Sequence, residues 1–338
     1  MERVKKHLVS AILGSAVLLQ AGCAISAAKP ANYAQHPEAE PFIQEMAKEG
    51  FAEDELRAVL AQATRQESIL KAISRPAEKR LTWGEYRNIF IQQKRIDRGV
   101  TFWHENAEAL QRAEQQYGVP AEYIVAIIGV ETHYGRIMGK YRVVDALTTL
   151  GFDYPKRSKF FRGQLKEYFH MAKEENIDPL SLKGSYAGAM GFGQFIPSSF
   201  RNYAVDFDGD GQRNIWTNKT DAIGSVANYF SRHGWKKNGA VVSGVQVGGS
   251  ADESWFNDGL KPKLTLADWS QRGISAERPL EADQPATLMR LETDGQFQNV
   301  LGLHNFYVIT RYNHSRLYAM AVHELSQAVK AEHGKPKS

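Results

Sequence analysis

Cysteine is almost absent from this sequence, since the 338 residues contain only Cys23. A lone cysteine near the N-terminus has no partner for an intramolecular disulfide, and it excludes the common cysteine-nucleophile schemes for the rest of the chain. The histidines are scattered, with no two at metal-ligand spacing beside a third donor, which excludes the usual zinc signatures. No G-x-S-x-G elbow and no phosphate loop are present. The familiar nucleophilic and zinc-dependent enzyme classes are therefore not indicated.

A strong net charge is also lacking. The formal net charge is +4, and part of it comes from Arg3, Lys5 and Lys6 in a segment that we expect to be removed. This balance is too weak to indicate nucleic acid as a partner. The hydrophobic content of 43% and the charged content of 24% are ordinary for a soluble globular protein of two or three domains.

No apolar run is long enough to cross a bilayer as a mature helix. The longest candidate spans residues 8–19 and follows a basic start, which is the pattern of a secretion signal. We therefore expect an exported protein whose signal peptide covers residues 1–22.

Residues 19–23, Leu-Gln-Ala-Gly-Cys, resemble a bacterial lipobox in which Cys23 becomes the lipidated N-terminus. Gln20 departs from the pattern, because an aliphatic residue is usual there. Cleavage after Ala28 is the alternative, and it would release a soluble periplasmic protein. With lipidation, residues 23–37 form a tether between lipid and domain, and acyl chains anchor the protein without a membrane span.

Helical periodicity dominates the first two thirds of the chain. Apolar residues recur at helical spacing from Phe42 to Leu60, and an amphipathic run over 96–117 is closed by Gly118. Two further helices are predicted over 158–176 and 222–230.

The last third changes character. Residues 240–302 are rich in glycine and carry short valine and leucine runs, which predicts a small separate β domain. Residues 306–311 favour a strand, and Ser315 is expected to cap a final helix that continues through Val329.

The segment from Pro120 to Gly135 places a carboxylate at the end of an apolar helix. Pro120 suits the first turn, Gly135 suits a C-terminal cap, and the apolar residues between them carry Glu131 into the interior. Desolvation disfavours the charged carboxylate and raises its pKa, which is the state that a general acid needs near neutral pH. The alternative is a cap or a salt bridge with Arg136 or Arg157, and the helix alone does not decide between them.

Residues 184–193 include four glycines and two alanines, so a backbone or a ligand can approach this segment closely. One interpretation is tight packing of two helices. The other is the wall of a cleft on which a polymer lies, with Ser185 and Gln194 left to form hydrogen bonds with it.

The segment that begins at Asp206 has the pattern of a calcium-binding loop. Oxygen ligands stand at alternate positions, and the sixth position is Gly211, as an EF-hand loop requires. The twelfth position is Thr217 instead of a glutamate, so the closing carboxylate must come from further along the chain. The predicted ligands are Asp206, Asp208, Asp210, the Gln212 carbonyl and Asp221. A plain acidic turn without a metal is the alternative.

Four strings of residues together carry a resemblance to a known family. They are Gly-Val-Glu-Thr-His-Tyr-Gly at 129–135, the glycine-rich string at 184–199, the aspartate loop at 206–221 and Arg-Tyr-Asn-His-Ser at 311–315. In this order, from about Phe42 to the C-terminus, they resemble the membrane-bound lytic murein transglycosylase B family.

The resemblance implies an α+β fold that is mainly α, with a lysozyme-like core, an added helical domain, a small β domain and an EF-hand-like calcium loop. The implied domains are the helical domain at 38–112, the catalytic core at 113–235 and 304–338, and the β domain at 236–303. The calcium loop at 206–221 lies within the core and is one residue longer than the family pattern.

The family cleaves the β-1,4 bond between N-acetylmuramic acid and N-acetylglucosamine in peptidoglycan without water, leaving a 1,6-anhydro ring on the muramic acid. By resemblance, Glu131 is the sole catalytic acid and base, and Ser185 and Gln194 contact the sugar. The residues that line the groove by resemblance are Arg157, Phe195, Tyr229, Tyr312 and Asn313. The metal is a structural Ca²⁺, and no organic cofactor is implied.

The implied partners are peptidoglycan strands and, through the lipid anchor, the membrane, with proteins of cell-wall synthesis or remodelling as further candidates. The implied location is the periplasmic face of the bacterial outer membrane. Two alternative functions stay open: a muramidase that admits water to the same glutamate, and a non-catalytic lipoprotein that binds peptidoglycan.

Overall fold

The computed structural model describes residues 32–74, 81–249 and 251–335. The predicted signal peptide, the lipidation site at Cys23 and most of the predicted tether lie outside the described residues. None of the described helices combines the length and the apolar character needed to cross a bilayer.

Helices account for most of the described residues, as the sequence predicts. They are α1 Ala39–Lys48, α2 Glu53–Gln62, α3 Glu67–Ser74, α4 Trp83–Phe90, α5 Gln93–Glu105, α6 Ala107–Tyr117, α7 Ala121–Thr132, α8 Val143–Asp153, α9 Ser158–Glu174, α10 Pro197–Tyr203, α11 Lys219–Arg232, α12 Leu266–Gln271, α13 His304–Tyr312 and α14 Arg316–His333. The strands are β1 Tyr141–Arg142, β2 Lys183–Gly184, β3 Val242–Val247, β4 Leu264–Thr265, β5 Ile274–Ala276, β6 Pro285–Thr293 and β7 Gln296–Gly302.

Helix α7 lies at the centre of the helical body. Every residue from Ala121 to Gly129 is buried, and α5, α6, α11 and α14 pack around the helix. A helix that is apolar on all sides is stable only when other elements cover every side of it. The helix ends at Thr132, and His133, in the left-handed region with φ 52°, caps it. The cap predicted at Gly135 is therefore misplaced by two residues.

The larger sheet has five antiparallel strands in the order β4-β6-β7-β3-β5, and β1 pairs with β2 in a separate two-stranded sheet. Strands β6 and β7 form a hairpin whose two turn residues, Asp294 and Gly295, both have positive φ, as a tight hairpin turn requires. On one face of β6, Leu288 packs in a small cluster with Trp269. Met289, which points to the other face, belongs to the core of the helical body.

From Asn32 onward the chain forms one compact unit. The domain boundaries predicted at 112, 235 and 303 lie inside it and stay predictions about its internal organisation. The amphipathic run over 96–117 is not one helix, because α5 and α6 are separated at Asn106. Gly118, with φ 71°, does end α6 as expected.

The strand predicted over 306–311 is wrong, since these residues belong to helix α13. The β-branched side chains of Val308, Ile309 and Thr310 favour a strand locally. In the fold these three residues and Phe306 are all buried, so tertiary packing decides the backbone conformation. The cap predicted at Ser315 is confirmed, because its Oγ accepts a hydrogen bond from the Tyr318 N–H at 3.3 Å.

The predicted tether ends too late in the sequence. Tyr33 is buried at 3% exposure, and its hydroxyl lies 2.6 Å from Asp153 Oδ2 and 3.2 Å from Thr149 Oγ1, both on α8. Residues 32–37 are thus docked on the domain, because a buried aromatic ring with a satisfied hydroxyl fixes the chain at that point.

Candidate active site

Glu131 stands on the last turn of α7 in a pocket of tyrosines. The Tyr318 hydroxyl, from the first turn of α14, donates a hydrogen bond of 2.5 Å to Glu131 Oε1. Tyr86 on α4 and Tyr312 on α13 are close enough for their pKa values to respond to the charge of Glu131. Neither Arg136 nor Arg157 forms an ion pair with Glu131, so the salt-bridge alternative does not hold within the described residues.

The carboxyl group of Glu131 is tuned toward neutrality. Burial raises its pKa to about 7, and the hydrogen bond from Tyr318 only partly opposes this effect. The cause is the desolvation of the charged form, as the sequence predicts. A group with this pKa holds a proton in a large share of molecules near neutral pH and can also lose it, so it can act as acid and as base.

Thr132 joins the end of α7 to the glycine-rich segment. Its buried hydroxyl donates to the carbonyl of Phe192 at 2.9 Å or to that of Ile128 at 3.1 Å, and it accepts from the N–H of Gly135 at 3.0 Å. Glu131 is therefore held at a fixed position relative to residues 190–195.

The backbone after Thr132 is strained. His133 and Tyr134 have φ values of 52° and 61°, in the left-handed region that residues with a side chain rarely adopt. Such conformations cost of order 1–3 kcal/mol each and persist only where the surroundings enforce them. The strain lies beside Glu131, as is common next to active-site residues.

The glycine-rich segment at 184–193 is not helical, so the packing of two helices is the wrong interpretation. Two β-bridges, Gly184 to Met190 and Met190 to Phe195, fold the segment back on itself. A Cβ on Gly139 would lie 2.0 Å from the Gly184 carbonyl carbon, and one on Gly191 would lie 2.4 Å from the Ile215 carbonyl oxygen. The glycines thus allow backbone to approach backbone at the edge of the site.

Ser185 and Gln194 hold the backbone of this segment. Ser185 Oγ accepts hydrogen bonds from the N–H groups of Ala187 at 3.3 Å and Ala189 at 3.0 Å. Gln194, itself at φ 50°, donates from Nε2 to the carbonyl of Gly191 at 2.9 Å. The Ser185 hydroxyl proton and the Gln194 side-chain oxygen have no partner among the described residues, so these two groups are available to a ligand.

Three of the predicted aromatic residues pack in one cluster, in which Tyr312 is the member whose pKa responds to the charge of Glu131. The Phe195 ring lies 5.8 Å from that of Tyr229 and 6.0 Å from that of Tyr312. Phe195 and Tyr229 are buried, and Tyr312, which donates to the Gly193 carbonyl at 2.5 Å, is partly exposed. Asn313 follows on the surface. Of this group, Tyr312 and Asn313 can touch a ligand directly, while the other two support them.

Arg157 is a predicted site residue that does not contact Glu131 or the aromatic residues near it. Its guanidinium lies 4.4 Å from the centre of the Phe160 ring and 5.2 Å from that of Phe161. It is exposed just before α9, and none of its described contacts reaches Glu131.

Sequence reasoning missed Tyr318, Tyr86 and Thr132. Tyr318 is 187 residues from Glu131, so no local pattern connects them. Thr132 could have been found, because a threonine directly after the acidic residue, at a helix end, is well placed to hydrogen-bond backbone groups.

The four predicted aspartate ligands converge, as the loop pattern indicates. Carboxylate oxygens of Asp206, Asp208, Asp210 and Asp221 all lie within 4.8 Å of one another. Asp221, on the first turn of α11, is fully buried, and it accepts from the N–H groups of Phe207 at 2.7 Å and Asn214 at 2.8 Å. Burial raises the pKa of Asp221, with the charge of Asp208 acting in the same direction.

This donor set fits a hard divalent cation. It consists of oxygen atoms only, and the crowded carboxylates lack a lysine or arginine ion pair within the described residues. Gln212 lies in the same loop, where its N–H donates to Asp210 Oδ1 at 2.8 Å. Gly211, at φ 93°, provides the sharp turn expected at the sixth position.

The sequence matches a known family over most of its length. The family model described as transglycosylase SLT domain matches residues 34–327. Membrane-bound lytic murein transglycosylase B from Escherichia coli (strain K12) is 47% identical over 308 residues, which cover 88% of this chain and 84% of the relative.

Three solved structures are similar in fold. The soluble lytic transglycosylase SltB1 from Pseudomonas aeruginosa is 53% identical, with coverage of 88% of this chain and 100% of that chain and a TM-score of 0.85. The Escherichia coli lytic transglycosylase Slt35 in complex with calcium is 46% identical, with coverage of 90% and 96% and a TM-score of 0.82. SltB3 from Pseudomonas aeruginosa in complex with NAG-NAM-pentapeptide is 31% identical, with coverage of 86% and 78% and a TM-score of 0.78.

The predicted fold class is thereby confirmed as mainly helical with a lysozyme-like core and a small sheet, while the EF-hand character of the aspartate loop stays a proposal. The likeness extends over both sequence and fold. The chain therefore belongs to the transglycosylase SLT domain family and, within it, to the membrane-bound lytic murein transglycosylase B family that its motifs resemble.

Proposed function

We propose that Glu131 is the only catalytic acid and base of this protein, in the cleavage of the β-1,4 bond between N-acetylmuramic acid and N-acetylglucosamine. The chain is a lytic transglycosylase that acts on peptidoglycan. The observation that carries the proposal is the state of the Glu131 carboxyl group, with its pKa raised to about 7 and one oxygen held by Tyr318. None of the groups that shift this pKa is a second carboxylate among the described residues.

A single carboxyl group suffices if the substrate supplies the nucleophiles. Protonated Glu131 first gives its proton to the departing glycosidic oxygen, while the N-acetyl oxygen of the muramic acid attacks the anomeric carbon. Glu131, now a carboxylate, takes the proton of the C6 hydroxyl as that oxygen displaces the acetamido group. The proton balance closes: one proton leaves Glu131 and one returns, and the product carries a 1,6-anhydro ring.

Water is outcompeted because the C6 hydroxyl belongs to the bound sugar. Well-oriented intramolecular groups reach effective molarities on the order of 10⁵–10⁸ M, provided that the ring is held still. The hydrogen bond from Thr132 to the Phe192 carbonyl and the two β-bridges of the glycine-rich segment supply this rigidity at Glu131. We propose Ser185, Gln194, Tyr312 and Asn313 as residues that contact the sugar, Phe195 and Tyr229 as their support, and Arg157 as a residue at the rim of the groove.

The test that separates this reaction from hydrolysis is the mass of the products. Each anhydro end lacks one water, about 18 Da, relative to a hydrolysed end, because the attacking oxygen is intramolecular. We expect mass spectrometry of sacculi digested in oxygen-18 water to show unlabelled anhydro ends. Heavy oxygen at new reducing ends would instead identify a muramidase on the same scaffold, and an absence of new ends would favour a protein that only binds peptidoglycan.

We also propose that the aspartate loop holds a structural Ca²⁺. The convergence of four carboxylates supports this assignment, as does the calcium complex of Slt35. Asp206, Asp208, Asp210, the Gln212 carbonyl and Asp221 are the proposed ligands, with Asp221 in the place of the usual closing glutamate. The ion would neutralise the crowded carboxylates and fix α11 against residues 206–214.

For localisation, we propose a lipoprotein anchored through Cys23 at the periplasmic face of the outer membrane. Support comes from the lipobox-like residues 19–23 and from a relative that is named membrane-bound. Metabolic labelling with a radioactive fatty acid should mark the wild type and not Cys23→Ser, which should fractionate with the soluble periplasm. An unlabelled wild type would instead favour cleavage after Ala28, and label on the serine variant would place the anchor elsewhere.

A further inference from the structure

A cluster of basic side chains surrounds the turn that follows Glu131. We call it the basic cluster, and it consists of Lys94, Arg95 and Arg98 at the start of α5 together with His133 and Arg136 after the end of α7. Lys94 and Arg136 are exposed, and the other three are partly exposed. Its charge is concentrated on one patch of a protein whose net charge is only +4.

The location of the cluster is unfavourable for folding. Cations in the first turn of a helix oppose the helix dipole, which favours acidic residues there, and α5 has no acid in its first turn. The charges also repel one another: desolvation lowers the pKa of His133, and Arg95, Arg98, Arg136 and Lys94 lower it further. An arrangement that works against stability in two ways requires another explanation.

Structural roles account for only part of the cluster. Arg95 donates to the Gly129 carbonyl at 3.3 Å, near the C-terminal end of α7, and lies over the Phe90 ring. Arg98 donates to Nε2 of His133. Neither Lys94 nor Arg136 forms a salt bridge within the described parts of the chain. The carboxylate on the same helix, Asp97, accepts a hydrogen bond from Gln93 at 2.8 Å and neutralises neither.

The cluster is also electrostatically separate from the catalytic carboxyl group. None of its cations contributes to the shift in the pKa of Glu131, which is raised and not lowered. A cation in contact with Glu131 would keep it ionised and remove the acid. These cations are therefore not in contact with the Glu131 carboxyl group.

We infer that the basic cluster binds the free carboxylates of the peptide stems that peptidoglycan strands carry, with Lys94, Arg98 and Arg136 as the side chains that contact them. This inference rests on the proposed function, because it deepens the description of the same substrate. A stem begins on the muramic acid, the sugar that the proposed reaction converts at Glu131, so stem carboxylates lie within a few residues of the cleaved bond. Guanidinium groups pair with carboxylates in a planar, two-pronged geometry that suits such a role.

The test compares two substrates that share one glycan. Peptide-bearing strands are one, and the same strands stripped of their stems by an amidase are the other. The test variant is Lys94→Gln/Arg136→Gln, which we expect to fold normally because both altered side chains are exposed. The matched control is Lys48→Gln/Lys261→Gln, which removes two exposed charges elsewhere on the surface.

We expect the KM of the test variant to rise about tenfold on peptide-bearing strands and to stay unchanged on stripped strands, with kcat preserved on both. The control variant should match the wild type on both substrates. The preference of the wild type for peptide-bearing strands should weaken as salt is added, because exposed charges are screened.

Two results would overturn the inference: an equal loss on both substrates, which would place the cluster on the glycan itself, or no loss on either. Binding of the purified protein to anionic phospholipid vesicles that is lost in the test variant, with turnover unchanged, would assign the cluster to a membrane surface instead. Failure of the proposed function is a separate result, because the wild type would then form no anhydro ends on either substrate.

Discussion

Carboxyl groups are central to two sites in this molecule, Glu131 and the aspartate loop, and the surroundings of these groups differ. Glu131 has no second acid beside it among the described residues, tyrosines surround it, and its one hydrogen bond within that part of the chain comes from a hydroxyl group. The aspartate loop places four carboxylates within 4.8 Å of one another, and backbone N–H groups point into it from several sides.

The contrast shows how the surroundings of a carboxyl group decide what it binds. Desolvation favours the neutral form of Glu131, so this group exchanges protons near pH 7. In the loop, backbone hydrogen bonds lower the pKa of Asp206 and keep it charged, and crowded charges of one sign attract a cation. Chemically similar side chains thus serve as a proton carrier in one region and as metal ligands in the other.

The largest effect should come from removing the proton carrier. We expect Glu131→Gln to fold normally and to lose at least about a thousandfold in lysis, since general acid catalysis is typically worth 10²–10⁴ and both proton transfers share this group. Glu122→Gln is the matched control on the same helix. It loses only the ion pair with Lys330 at 2.8 Å and should keep near-normal lysis. Near-normal activity of the Glu131 variant would remove it from the mechanism.

The same variant tests the origin of the raised pKa. Folding raises the pKa of Glu131 from 4.5 to about 7, so the stability that its proton contributes is fully present below pH 4.5 and is lost as the pH rises through 7. Glutamine cannot ionise. The melting temperature of Glu131→Gln relative to the wild type should therefore increase between pH 5 and pH 8, and a constant difference would contradict the desolvation argument.

The second effect in size should come from the loop. At a calcium concentration about a hundredfold above Kd, the bound ion stabilises the fold by about 2.7 kcal/mol, or roughly 5 °C in melting temperature for a chain of this size. A chelator should remove this stabilisation, and Asp208→Ala/Asp210→Ala should abolish calcium binding in a titration. Asp54→Ala/Asp283→Ala, which removes two exposed acids elsewhere, should behave as the wild type. Intact binding in the loop variant would show that the ligands are assigned wrongly.

The smallest effect should come from Tyr318→Phe, which removes the one hydrogen bond that counteracts desolvation at Glu131. Because that bond lowers the pKa of Glu131, its loss should raise the pKa. The decline of kcat/KM with increasing pH, which reflects loss of the acid form, should move to higher pH, and the rate should fall about tenfold. Tyr312→Phe, whose hydroxyl donates to Gly193 and not to Glu131, should leave that decline in place.

The sequence predicts local features of both regions well. The apolar residues that precede Glu131 predict a buried helix, and the alternating aspartates predict a loop whose carboxylates converge. Both patterns follow from short-range geometry. Asp221 could be chosen only because it is the next acid after the loop, yet the fold does place it within reach.

What the sequence alone could not supply are the long-range neighbours. Tyr318 contacts Glu131 only when α14 packs on α7. The location of Arg157 away from Glu131 depends on where α9 begins. The strand prediction at 306–311 is wrong for the same reason, because tertiary packing overrides the local preference of its β-branched residues for a strand. Local propensity carries no information on which distant elements meet.

Strand β6 belongs to two hydrophobic cores at once, with Leu288 on the side of the small cluster and Met289 and Leu291 in the core of the helical body. Neither core can lose this strand and remain intact. The sheet and the helical body are therefore coupled in folding, so a fragment comprising residues 236–303 alone would expose Met289 and Leu291 to water. Heat or denaturant should unfold the sheet and the helical body in one cooperative transition, so the sheet contributes to the stability of the catalytic body.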